Sequence, residues 1–587
     1  MFLAASRRQL RAAACADFAP ARSVPALVRH KSSEALSSSS SAPPPQGCPV
    51  HHQHDGDSHP AAAGHHPKLV RVPSLPYIGS LLPFHSGIPN LATDPYKFFP
   101  AMAKKFGGFY SMGLPSIGNP DDTHATLYVI RDPTEMMKVV RGGGAYPSGL
   151  VQHLWPNKRW SMENGVLAGA HDLGLFGQGE DWKRIRTFLQ TDLLHPASAK
   201  GYVPGIIRAA QLASKGAAHV SLEQSSGQKE EALNHFFARA SFDMFSALMF
   251  GQLTDTADIS TPTDAENVEF VESTKLGLST SIQMLVDPFE NIVGNVLGLK
   301  SKRYGIMDEG FTKSYSIGKR KIAQFIEKKG RGELDEYESN SYLARAIERQ
   351  KEEGCGITDK ELQDVCFTQL FAAVDTTMTA VGWNTVHMAL NPKVQEKLYA
   401  ELKANVDSEG SGELTASVLD RKKSPYLHSF IRETHRLTPS APIYVFKRIM
   451  GSEPVSIHGE TLAPGSVVAM EGLSASFDPN LVEGPKTFNP DRWSEEQVER
   501  RKGTPSEIID HVYYKDAFSQ GPRKCPGSRV ATNEMLALLS QLVLDWKISM
   551  PDDINSLDDV KYEQRTSVEP IIPALVFEPR WYITCYY

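Results

Sequence analysis

The chain has 587 residues, 41% hydrophobic and 22% charged, with a formal net charge of −6. One large globular domain plus an extension fits that length and composition, and the negative balance excludes the basic stripe expected of a nucleic-acid binder. The six cysteines (Cys15, Cys48, Cys355, Cys366, Cys525 and Cys585) are scattered without a Cys-x-x-Cys pair, which points to neither a zinc site nor a disulfide framework and fits a reducing compartment.

Residues 1–31 carry Arg7, Arg8, Arg11, Arg22, Arg29 and Lys31 against Asp17 alone. Arg-rich, Ala-rich, acid-poor sequence of this kind reads as an organellar transit peptide, with removal expected near Arg29–Ser33. The arginine content favours a mitochondrial address; the serine run Ser37–Ser41 keeps a chloroplast address as the alternative. The apolar start Met1–Ala5 is far too short to span a bilayer, which needs about 20 apolar residues. Residues 32–66 hold a serine run, three consecutive prolines from Pro43, and six histidines between His51 and His66. They read as a disordered linker rather than a metal-binding tract, because no carboxylate or cysteine spacing fixes a coordination geometry.

The ordered domain is expected over 67–587. It opens with a proline-stiffened entry, Val72-Pro73-Ser74-Leu75-Pro76. A β-prone stretch covers Ala125–Arg131. Apolar residues at three- and four-residue spacings predict helices from Trp182 to Leu398, and short β-prone pieces follow from Pro442 to Met470. The fold class is therefore mainly α with a minor β region. Within it, the run Ile282–Leu299 reads as core packing, with a dip into a membrane surface as its alternative.

Five segments carry chemistry. Trp182 and Arg186 are four apart on one helix face, where an indole N–H and a guanidinium can donate to a single carboxylate. In Phe371-Ala372-Ala373-Val374-Asp375-Thr376-Thr377, an acid and two threonines interrupt a long helical run. A threonine hydroxyl there can bond the preceding turn and loosen the ladder. Glu433 and Arg436 are three apart in an apolar helix; buried, such a pair must be fully hydrogen-bonded to offset desolvation. Phe488-Asn489-Pro490-Asp491-Arg492-Trp493 supplies another arginine. Finally, Phe518-Ser519-Gln520-Gly521-Pro522-Arg523-Lys524-Cys525-Pro526-Gly527 frames one cysteine with glycines just before a predicted helix. Glycine lets backbone approach a flat macrocycle, Arg523 can fork onto a ring-edge carboxylate, Phe518 anchors the loop, and a helix N-terminus favours a thiolate.

Together these segments, in this order, resemble the cytochrome P-450 superfamily of haem-thiolate monooxygenases across roughly residues 67–587. The resemblance implies one large haem domain with haem b and O2 as co-substrate. Cys525 would be the axial thiolate, with Phe518, Gly521 and Gly527 shaping its loop. Trp182, Arg186, Arg523 and Arg448 would contact haem propionates, although Lys447 is an alternative to Arg448. Thr376 would serve oxygen activation and Asp375 would relay protons; Ala373 stands where the family usually has glycine. Glu433, Arg436 and Arg492 would form a structural triad behind the cysteine loop. The implied reaction inserts one oxygen atom into a lipophilic substrate, a sterol, fatty acid or terpenoid. Lacking evident flavin or nicotinamide segments, the chain would take electrons from a [2Fe–2S] ferredoxin and its reductase, docking through His428 and Arg432. It would sit on the matrix side of the inner mitochondrial membrane, peripherally associated. A haem-thiolate isomerase or dehydratase, or a non-catalytic haem sensor, are the rivals; Thr376 and Asp375 speak against both.

Overall fold

β-Branched and aromatic runs pair into one five-stranded mixed sheet and three two-stranded ones, and three-to-four-spaced apolar runs coil into the helices that make up most of the described residues. The computed structural model describes residues 67–580 except 74–79, 81–87, 92, 115–124, 145, 148–154, 167–176, 228–230, 258–263 and 442. The expected transit peptide and linker, 1–31 and 32–66, lie outside the described residues. Residues 65–587 form one compact unit.

The strands of the main sheet and of one hairpin are β1 (Val70–Arg71), β2 (Phe109–Leu114), β3 (Ala125–Ile130), β4 (Ile443–Arg448), β5 (Val455–Ile457), β6 (Glu460–Leu462) and β7 (Val467–Glu471). The main sheet runs β1-β2-β3-β7-β4, with β5 and β6 a separate hairpin. β1/β2 and β3/β7 are parallel, β2/β3 and β4/β7 antiparallel. Period-2 alternation divides its side chains. Tyr110, Met112, Leu127 and Val129 join Phe98, Phe99 and Met102 in one apolar cluster. Phe109, Ile130, Val468 and Met470 join Met136, Val139 and Ile457 in another.

The helices that position the site are α1 (Pro133–Arg141), α2 (Gly179–Leu193), α3 (Val203–Ser225), α4 (Ala232–Met249), α5 (Ala265–Val286), α6 (Lys302–Gly330), α7 (Asp359–Leu390), α8 (Pro392–Glu409), α9 (Pro425–Leu437) and α10 (Ser528–Asp545). α7 starts at a reciprocal cap. The Thr358 hydroxyl accepts from Glu361 N, and a Glu361 oxygen accepts from Thr358 N at 2.8 Å, which satisfies donors the first turn would orphan. Among the described residues α7 is the one helix long and apolar enough to cross a bilayer. Yet 78% of its most apolar stretch is buried inside the fold, so it is the core helix.

The core-packing expectation for Ile282–Leu299 holds at Met284 and Leu285, where α5 ends, and fails over 289–299. α5 ends at Val286, and a π-helical turn spans Asn291–Val296. Met284 and Gly294 are buried, whereas Phe289, Ile292, Val296, Leu297 and Leu299 are exposed. With five large apolar side chains turned to solvent over eleven residues, this segment spends its hydrophobicity on a surface patch rather than the core.

Candidate active site

The cysteine loop is folded by its own backbone and by one acid. Cys525 N donates to Phe518 O at 2.9 Å, closing the loop, and Ser528 N donates to Cys525 O as α10 begins. Asp516 accepts from Phe518 N at 2.9 Å, from Gln520 Nε2 and from Lys524 Nζ. Gly521 has φ +81°, and a Cβ there would lie 2.5 Å from Val140 Cγ1 of α1, so glycine answers both a conformational and a packing demand. Phe518 packs into the main apolar core. Burial pushes the Cys525 thiol up, while the Gly527 N–H, Arg186 and Lys524 pull it down. Cys525 thus stands just before the helix N-terminus, with the Gly527 N–H donating to its sulfur and two cations nearby.

Beside this loop lies a desolvated cluster of cations. Arg186 is buried on α2, and its Nη2 donates to Lys524 O next to the cysteine. Arg523 lies over the Trp182 indole, 3.7 Å from the ring centroid, and donates to Pro147 O and Gly177 O. Burial and then Arg186 lower the Arg523 pKa to about 9. Burial, Arg523 and Arg186 lower that of Lys447 to about 8. The Trp182 Nε1–H is buried with no acceptor. Three cations that repel one another out of water, and an orphaned indole donor, together call for an anion. The carboxylates of a haem would fit that demand, with Cys525 placed to hold its iron. When bound, haem supplies O2 activation; the chain's own residues hold, orient and shield it.

The expectation for Arg448 is corrected. Its Nη1 donates to Gly465 O, and it is half-buried. Lys447 is the buried member of the pair and the one electrostatically coupled to Arg186 and Arg523. Neighbouring strand residues face opposite ways, and the β4/β7 register shifts between Ile443 and Val445, so one position separates the two assignments.

On α7, every residue between Glu361 and Ala389 is buried or half-buried except Thr376, which is exposed, with Phe371–Ala373 half-buried beside it. An accessible stripe in the core helix is what an interior ligand site requires. The Thr376 hydroxyl donates to Ala372 O at 3.0 Å, as the mid-helix threonine predicted. Asp375 faces away from that stripe into a buried polar cluster, with one carboxylate oxygen lacking a hydrogen-bond partner. Burial, then Glu569, raises its pKa; Lys275, Thr566 and Arg565 oppose the shift. Lys275 pairs with Glu569 at 3.3 Å, and Arg565 bridges Glu569 at 3.2 Å to half-buried Glu231 at 3.0 Å. Charged groups thus extend from Asp375 through Glu569 and Arg565 to half-buried Glu231. Only Asp375 of these was legible in sequence. Glu534, nine residues beyond Cys525, was also missed: it is buried and accepts from Thr377 Oγ1 at 3.0 Å, joining α10 to α7.

Glu433 and Arg436 are buried and pair through two hydrogen bonds, 2.8 and 3.0 Å. Arg492 Nε at 3.3 Å, Trp493 Nε1 at 2.9 Å and Asn489 N at 3.1 Å also donate to Glu433. Arg436 donates further to the carbonyls of Ser476, Pro485 and Thr487. The pair is therefore fully satisfied, as a buried ion pair must be. Trp493 is the member that spacing did not reveal.

The docking expectation for His428 and Arg432 is also corrected. Arg432 pairs with Asp510 at 3.2 Å and lies 3.7 Å from the Trp493 ring centroid, with its side chain only 18% exposed. His428 Nε2 is 2.9 Å from Leu419 O, and burial lowers its pKa. Both are occupied within the fold. The cations left exposed nearby are Arg421, Lys422 and Arg500.

A framed cysteine, a desolvated cation cluster and an accessible threonine in the core helix are the parts a haem-thiolate oxygenase needs. The Cytochrome P-450 family profile matches residues 71–566, and the chain belongs to that family. It is 22% identical to the mitochondrial sterol 26-hydroxylase of Rattus norvegicus over 72% of this chain and 74% of that protein. It is 24% identical to cytochrome P-450 10 of Lymnaea stagnalis over 87% of this chain and 86% of that one. A probable cytochrome P-450 554A1 of Dictyostelium discoideum is 28% identical over 36% of this chain, a match that spans 39% of that relative's length. The enzyme is accordingly a haem-dependent monooxygenase that uses O2 and takes electrons from redox partners.

Proposed function

We propose that this enzyme hydroxylates a lipophilic substrate of the sterol, fatty-acid or terpenoid class at the matrix face of the inner mitochondrial membrane, using electrons from a [2Fe–2S] ferredoxin. In this reading Cys525 ligates the iron and Trp182, Arg186, Arg523 and Lys447 hold the propionates. Thr376 and Asp375 deliver protons, and Glu433, Arg436 and Arg492 brace the loop. Residues 1–31 address the chain to the organelle and 32–66 link that address to the haem domain.

The observation that carries the substrate class is one apolar route. Gly294, inside the exposed patch at 289–299, packs on Trp155 so tightly that a Cβ there would lie 2.0 Å from the indole. Trp155 belongs to a cluster with Trp160, Met284 and Phe311 that reaches half-buried Phe371 on the accessible stripe of α7. A lipid-facing patch joined by apolar side chains to the oxygen site suits a substrate taken from a membrane surface. Exposed Lys300 and Lys302 flank the patch and favour an anionic bilayer. The likeness to the mitochondrial sterol hydroxylase supports the compartment and the ferredoxin. Docking falls on Arg421, Lys422 and Arg500, which complement an acidic partner.

The test is a screen of purified, haem-loaded protein against sterols, fatty acids and terpenoids. It reads the substrate-induced Soret shift, then turnover with NADPH, ferredoxin and its reductase. A lipophilic ligand giving both the shift and ferredoxin-dependent hydroxylation supports the proposal. Product formed without any reductant would replace it with the isomerase reading.

A further inference from the structure

We propose that Asp132, Glu135 and His458 form a divalent-cation site, suited to Zn2+, that ties the start of α1 to the β5–β6 hairpin. It lies outside the residues assigned to haem, oxygen or redox partner. One ligand atom from each residue falls within 4.8 Å of the other two.

Each donor is held by its local structure. Asp132 caps α1, its Oδ1 accepting from Thr134 N at 2.8 Å. Glu135, in the first turn, is 5% exposed. Its Oε1 takes Lys138 Nζ at 2.8 Å and stands 3.8 Å from His458 Nδ1, too far for a hydrogen bond. Its Oε2 is buried with no hydrogen-bond donor. A buried carboxylate oxygen in that state is destabilising unless a cation meets it.

His458 sits in the two-residue turn joining β5 to β6, where Ile457 pairs with Glu460 and both turn residues have positive φ, 48° at His458 and 85° at Gly459. That turn matches the strand twist and fixes where the imidazole emerges. The ring is buried, and the Phe109 ring, 5.4 Å away, backs it.

One imidazole nitrogen and two carboxylate oxygens, with water completing the shell, match the tetrahedral N/O preference of Zn2+. Ca2+ wants six to eight oxygens and Mg2+ a near-ideal octahedron of mostly oxygen and water. Lys138 is half-exposed on its side chain and can swing into solvent as the metal takes Glu135. The consequence is mechanical: α1 is pinned at its start, and its far end, through Val140, presses on Gly521 of the cysteine loop.

The experiment uses the full-length haem-loaded protein, stripped with chelator and dialysed against Zn2+. Bound zinc is measured by mass spectrometry, and the thermal midpoint with and without zinc. Wild type is compared with Glu135→Gln and with His458→Asn, a residue that tolerates the left-handed backbone. The histidine-rich stretch at 51–66 is common to all three and cancels in the difference. The expected result is one zinc fewer per chain in each variant, and a zinc-dependent rise in midpoint in wild type alone. If either variant, folded by circular dichroism, carries as much zinc as wild type, the site is refuted. A wild type whose midpoint zinc does not move would equally refute the brace.

Discussion

Arg523 and Trp182 meet face to face: the guanidinium carbon stands 3.7 Å from the indole centroid, although one residue is on the cysteine loop and the other on α2. The contact leaves the indole edge, with its unpartnered Nε1–H, beside a site crowded with cations. Trp182→Phe keeps an aromatic face under Arg523 and deletes that donor alone. A hydrogen bond to a charged group contributes about 1.5–3 kcal/mol. Haem transfer to an excess of apomyoglobin should accelerate by roughly tenfold or more on that scale, with the reduced CO spectrum unchanged in position. An unaltered transfer rate would mean that the indole donates nothing to haem.

Arg432 and Arg421 separate a structural from a docking role. Arg432 is half of an inward ion pair with Asp510 under Trp493. Arg432→Glu places like charge on Asp510 and should lower the thermal midpoint, because breaking a buried pair costs about 3–5 kcal/mol. Exposed Arg421 has no such burden. Arg421→Glu should leave the midpoint in place while raising the ferredoxin dissociation constant, by roughly tenfold for about 1.4 kcal/mol, chiefly through slower association. An unchanged dissociation constant would remove this face from the docking model.

How much of this was legible depended on how local the determinant is. The framing of Cys525 and the Glu433–Arg436 pair are fixed by spacings within one loop or one helical turn, and the structure bears out that geometry. Trp182 and Arg186, four apart on α2, are both buried beside the cysteine loop. Where placement turned on strand register, as with Lys447 against Arg448, a one-residue shift reversed the faces and the sequence offered no signal for it. Where it turned on a partner distant in the chain, the reading failed. Arg432 is turned inward by Trp493 and Asp510, 61 and 78 positions away. Glu569 reaches Asp375 from near the C-terminus. The patch at 289–299 reads as core by composition alone, because hydrophobicity does not say which medium a side chain meets.

Thr376 and Glu569 should fail differently. Thr376 is the exposed hydroxyl on the core helix, and Glu569 lies behind Asp375, paired to Lys275 and Arg565. Thr376→Ala should reduce product formed per NADPH several-fold, with electrons diverted to hydrogen peroxide. Glu569→Gln keeps the shape and removes the charge that, after burial, raises the Asp375 pKa. It should slow turnover and enlarge the solvent deuterium isotope effect, since positioned proton transfer contributes about 10²–10⁴-fold to rate. A normal isotope effect in Glu569→Gln would detach the outer acid from proton delivery.

Glu534 gives stability a pH dependence of known sign. Burial pushes its carboxyl up from 4.5 to about 8, with the Thr377 hydroxyl opposing. The folded chain therefore keeps this proton up to about pH 8, whereas the unfolded chain releases it near 4.5. Across that window the native state binds more protons, so raising pH destabilises it. Asp243, raised by burial to about 7, acts in the same direction and fades as pH rises through 7. Glu534→Gln keeps an acceptor for Thr377 and has no proton to lose. Its thermal midpoint should fall less than that of wild type between pH 5 and 8; Asp243 cancels in the difference between the two curves, which should keep widening from pH 7 to 8. Parallel curves over that last unit would show that Glu534 ionises lower, and that the junction of α10 with α7 holds a carboxylate rather than an acid.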